Sequence, residues 1–143
     1  MNFRAIGAVF AVAVLTASNA NAAGVDAVWL SNDGKARIKI EPCGANLCGT
    51  VVWLAEPLDP ATGKPKLDKN NPDNSLRSRP VLGSRMLEAK PESDGKWRGT
   101  IYNGQNGRTY DVTIHVEDAA LKIEGCAMGG VFCRTQTWTR VGG

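Results

Sequence analysis

The stretch RTYDVTIHVE at residues 108–117 sets Tyr110, Val112, Ile114 and Val116 on one side of an extended chain and Asp111, Thr113 and His115 on the other. A period of two in the apolar positions marks a strand with one face in a core and one in water. ARIKIEP at 36–42 repeats the pattern, Ala36, Ile38 and Ile40 opposing Arg37, Lys39 and Glu41. Further β-runs read at 27–31 (AVWLS), 84–90 (SRMLEAK), 96–103 (KWRGTIYN), 120–126 (ALKIEGC) and 133–141 (CRTQTWTRV). The run GTVVWL at 49–54 lacks that alternation and is expected to be more continuously buried. Turns such as NDGK, CGANLC and GQNG separate these runs, and no helical period interrupts them. Eight strands joined mostly by tight hairpins predict an all-β chain, an eight-stranded antiparallel up-and-down barrel whose closure removes exposed edges. A two-sheet β-sandwich is the alternative, which strand counting does not separate from it.

One segment breaks the meander. Residues 55–80 hold NNPDNSLRSRP, a polar, proline-bracketed stretch in which Asn70, Asn71, Asp73 and Asn74 can cap their own turns. A compact excursion is expected, with Arg77 or Arg79 bonding loop carbonyls or pairing with Asp68 or Asp73. The functional reading of the same stretch is a lid that presents a guanidinium to an anionic headgroup. Calcium fits poorly, because an EF-hand loop requires Gly and Glu where Asp73 and Arg79 stand.

The chain opens MNFRAIGAVFAVAVLTASNANA: one cation at Arg4, a short apolar run, then Ala20-Asn21-Ala22. That order predicts a secretory signal peptide over 1–22, and a single β-barrel domain over 23–143 in the periplasm or outside the cell. The apolar run is too short to span a bilayer. Lys and Arg number 17 against 14 Asp and Glu, with one cation inside the leader, so nothing draws the domain to nucleic acid or into a membrane.

Cys43, Cys48, Cys126 and Cys133 lie in a chain expected to meet an oxidising compartment. Each of the pairs Cys43 with Cys48 and Cys126 with Cys133 flanks a short glycine-bearing turn between β-runs, which favours local disulfides over the two crossed connectivities. A Cys₄ zinc site is the rival, and the wider spacing of the second pair argues against it. No metal or cofactor is expected. His115 stands alone on a polar strand face, and Ser75, Ser78 and Ser84 lack a neighbouring histidine in sequence.

The segments DGKARIKIEPCGANLCGTVVWL, NPDNSLRSRPVLG, the strand around Trp97 to Asn103 and the closing CRTQTWTRV resemble the exported bacterial proteins of domain of unknown function 2147. The resemblance covers residues from about Trp29 to Val141. It implies a small lipocalin-like barrel and a family without an established biochemical role. By the same analogy Trp29 closes the barrel floor and Arg140, on the last strand, lies across its indole; Ala27 occupies the place of the glycine in the lipocalin G-x-W signature.

From the architecture and this analogy the chain is expected to be a non-enzymatic binding protein for a small apolar or amphipathic ligand. Arg77 or Arg79 would stand near the entrance, with Trp53, Trp97, Tyr102 and Tyr110 as aromatic lining. Two alternatives stand beside it. One is a cell-envelope module with a filled barrel that captures a protein partner; the other is an envelope-modifying enzyme using Asp59, Asp68 or Asp73 as acid and base.

Overall fold

The structure, a computed structural model, describes residues 11–13 and 24–142. Apart from 11–13, the expected leader and its cleavage point lie outside the described residues. Eight strands follow in order: β1 (Ala27–Leu30), β2 (Ala36–Cys43), β3 (Asn46–Leu54), β4 (Arg85–Pro91), β5 (Trp97–Asn103), β6 (Arg108–Glu117), β7 (Ala120–Ala127) and β8 (Phe132–Gly142). Each pairs antiparallel with the next, and β8 returns to β1, so the sheet closes into a barrel and the sandwich is excluded.

Alternation places the core. Val112 and Ile114 of β6, Leu121 and Ile123 of β7, and Ile38 and Ile40 of β2 point inward and are almost fully buried, with polar or charged neighbours outward. The β2–β3, β4–β5 and β6–β7 turns share one end of the barrel with the start of β1. The opposite end carries the β1–β2 turn, residues 55–84, and the β5–β6 and β7–β8 turns. The first end is sealed by Val25, Trp29, Leu47, Ala89, Trp97 and Leu121. Trp29 is fully buried and its Nε1 donates to the Val25 carbonyl at 2.9 Å. The guanidinium of Arg140 covers its ring 4.8 Å from the centroid.

Backbones also approach closely in the wall. A Cβ on Gly99 of β5 would overlap the Glu88 carbonyl of β4 and lie 2.6 Å from the Ala89 Cα, so only glycine fits there.

The disulfides are local: Cys43–Cys48 at the sealed end and Cys126–Cys133 at the other. Cys126 and Cys133 face each other directly in the β7–β8 ladder. Cys43 and Cys48 are offset, being opposite Asn46 and Glu41.

The continuous burial expected for 49–54 is not what forms. Ladder register slips between Arg37 and Ile38, whose partners are Trp53 and Val51, leaving Val52 as the extra residue of a bulge. Val51 faces the core, whereas Val52 and Trp53 are exposed and Arg37 stacks on the outer Trp53 ring at 4.6 Å. Among the described residues no helix is long and apolar enough to cross a membrane.

Candidate functional site

Side-chain size falls toward the end opposite Trp29. The inward positions of β7 run from Leu121 and Ile123 to Gly125 and Ala127, and those of β8 run from Trp138 to Gln136 and Arg134. Large residues fill the sealed half, and small or polar ones leave space in the other. The result is a cavity of about 960 Å³, open at that end. Its walls are apolar below, with Ile38, Val51, Ile101, Val112 and Ile123, and polar at the rim.

The 55–84 excursion forms part of the rim and is tied to the barrel by one buried carboxylate. Asp68, 3% exposed, accepts from the Tyr102 hydroxyl at 2.6 Å on Oδ1. Its Oδ2 accepts from Asn71 Nδ2 at 2.8 Å and from Arg79 through both Nε and Nη2, each at 2.9 Å. Burial works to raise the Asp68 pKa, but the bonds from Asn71, Tyr102 and Arg79 and the Arg79 charge outweigh it, and the carboxyl sits below its usual value. Burial, with the bond to Asp68, pushes the Tyr102 phenol up to about 12, so it keeps its proton.

A second tie lies alongside. Asn70 Nδ2 donates to the carbonyls of Gly104 and Gln105 in the β5–β6 turn, at 3.2 and 2.9 Å. Gly107, at φ +70°, leaves room for the Asn70 carbonyl, which a side chain there would overlap.

Within the excursion, Asn71 Oδ1 accepts from the Asp73 amide, and Asp73 caps a short 3₁₀ turn, Asn74–Leu76, by accepting from the Ser75 amide. These are the self-satisfied turns expected from the sequence. Arg77 Nε donates to the Asn71 carbonyl at 2.7 Å.

The residues singled out from the sequence therefore separate. Tyr102 and Tyr110 line the cavity. Trp53 faces outward because of the bulge, and Trp97 packs in the sealed floor. Arg77 and Arg79 both hold the excursion together, Arg79 also lying 5.9 Å from the Tyr102 ring centroid, and neither lines the cavity. Asp59 and Asp68 reach the rim while Asp73 does not. Asp59 Oδ1 accepts from the Ala61 amide, and both Asp68 oxygens are engaged. All four cysteines are disulfide-bonded and offer no thiolate to zinc. Arg134 and Gln136 line the cavity and were missed; the parity of CRTQTWTRV around Trp138 is the signal that places them on its face.

The family described as "Uncharacterized protein conserved in bacteria (DUF2147)" matches residues 27–140. Among solved structures, Helicobacter pylori protein HP1028, described as belonging to the lipocalin family, aligns with a TM-score of 0.68. The alignment covers 81% of this chain and 82% of that one at 19% identity, a likeness of fold. None of the curated proteins matches.

Proposed function

We propose that this chain, which belongs to the uncharacterised bacterial family DUF2147 and folds as a lipocalin-like barrel, binds one small apolar or amphipathic molecule in the open half of that barrel. The observation that carries this reading is the cavity of about 960 Å³, sealed at one end by Trp29 and its neighbours and open at the other. Its volume falls in the range of small-molecule sites, and its apolar walls under a polar rim suit a molecule with a greasy body. Eight-stranded barrels either fill with side chains or hold one small ligand, and the small inward residues Gly125 and Ala127 favour the second.

Two disulfides fit a protein that works in the periplasm or outside the cell, as the leader-like start of the sequence suggests. A binding role also fits the carboxylates better than acid–base catalysis does. A general acid working near neutrality needs a raised pKa, and Asp68 is shifted the other way.

Native mass spectrometry of gently purified protein, followed by organic extraction, tests the proposal. The expected result is a bound small molecule, or displacement of an added fluorescent lipid probe by an apolar competitor. Protein that carries nothing and binds no probe would overturn it.

A further inference from the structure

Resting on that reading, we propose that Arg134 is the anion-recognition residue of the cavity and that the ligand is a single-tailed amphipath with an anionic head. Strand parity puts Trp138, Gln136 and Arg134 on one inward line of β8, and all three line the cavity. Trp138 is buried at the bottom of this line, and Arg134, four residues along, stands roughly 13 Å higher at the rim. The wall beside them changes in step. Leu121 and Ile123 face Trp138 and Gln136 across the ladder, whereas Gly125 faces Arg134 and contributes no side chain to fill the space in front of the guanidinium.

Of the four cations that line the cavity, Lys66 is paired, whereas Lys35, Lys69 and Arg134 make no ion pair among the described residues; Lys35 and Lys69 stand on loops, and Arg134 alone stands on a barrel strand. Lys66 pairs with Glu56, and Asp68 with Arg79. Asp33 accepts from Ser31 Oγ and the Lys35 amide, and Asp59 from the Ala61 amide. Arg134 makes no ion pair and no side-chain hydrogen bond with any described residue. Below it, Gln136 Oε1 accepts from Trp138 Nε1 at 3.0 Å, which orients the amide and leaves its NH₂ to donate. A planar guanidinium and an amide donor on successive positions of one face match a carboxylate, or a phosphate or sulfate monoester, while the tail descends along Ile123 and Val112 toward Trp138.

The test uses the full disulfide-bonded protein with dansyl-labelled undecanoate and its methyl ester as probes. The wild type should bind the anion more tightly than the ester. Arg134→Gln should weaken the anion about tenfold or more and leave the ester within about twofold, with Arg134→Lys between. Lys64→Gln, the same charge change outside the cavity, should leave both probes unaffected, and thermal unfolding should confirm that each variant is folded. Displacement by decanoate and by decyl phosphate identifies the preferred head, and decanol should displace more weakly than the better of the two. If Arg134→Gln changes both probes equally or neither, the assignment fails while the binding role stands. If the wild type binds neither probe, the binding role falls with it.

Discussion

Arg140 and Trp29 face each other in the ladder where the last strand meets the first: the guanidinium lies 4.8 Å from the indole centroid, and its Nη2 donates to the Gly24 carbonyl at 2.6 Å. One side chain thus covers the floor tryptophan and fixes the chain that leads into β1. Arg140→Ala should lower stability by about 1 kcal/mol, with Arg140→Lys recovering part of it. Urea denaturation followed by tryptophan fluorescence measures both, and probe binding at the far end should be unchanged.

Asp68 is the member of the rim network that three donors share. Asp68→Asn leaves Arg79 without its carboxylate and should cost about 2 to 3 kcal/mol at neutral pH. The Asp68 carboxyl is depressed in the folded state, so its contribution is fully present above the ordinary value of 3.8 and is lost as pH falls through the depressed one. Denaturation at pH 7 and pH 3 should therefore show a smaller gap between wild type and Asp68→Asn at the lower pH. An equal gap at both would contradict the assignment.

Removing the Tyr102 hydroxyl touches the same carboxylate from the barrel side. Tyr102→Phe keeps the ring but leaves Oδ1 of Asp68 without its donor, and about 1 kcal/mol should be lost. Amide exchange at Asp68 and Val81, which bond across the two arms of the excursion, should quicken while exchange in β6 and β7 stays slow.

Both disulfides close short rings, five and seven residues apart in sequence. Replacing either pair by serine should cost about 2 kcal/mol, toward the lower part of what disulfides contribute. Loss of Cys126–Cys133 should speed exchange around the β7–β8 turn, and loss of Cys43–Cys48 around the β2–β3 turn.

The two-residue turn between β6 and β7 holds Asp118 and Ala119 at φ +52° and +59°, where a β-carbon is strained. Ala119→Gly gives the Asp-Gly pair that such turns prefer, and should raise stability by about 0.5 to 1 kcal/mol in thermal unfolding.

The barrel could be read from the sequence because its strands state their pattern locally. In ARIKIEP and RTYDVTIHVE each inward residue is apolar and each outward one polar, so period alone assigns the faces. Where that correspondence fails, the reading failed with it. Trp53 looks buried until a one-residue bulge opposite Arg37 turns it outward, and a bulge belongs to the pairing of two strands. Arg134 and Gln136 look like surface residues because the cavity is open at their end, so their inward face is polar. The turn-capping of Asn71 and Asp73 was legible, being local, whereas the reach of Asn70 to Gly104 is set by how the excursion meets a hairpin 34 residues away.

Seven of the eight junctions in the cylinder join strands that follow one another along the chain; the junction of β1 with β8 does not. Both sulfur bridges tie neighbours already joined by a short turn, so neither crosses that seam. Mechanically the molecule is a rolled sheet whose two edges meet in a short ladder under the Arg140 clasp. Opening that seam would leave both stapled hairpins intact.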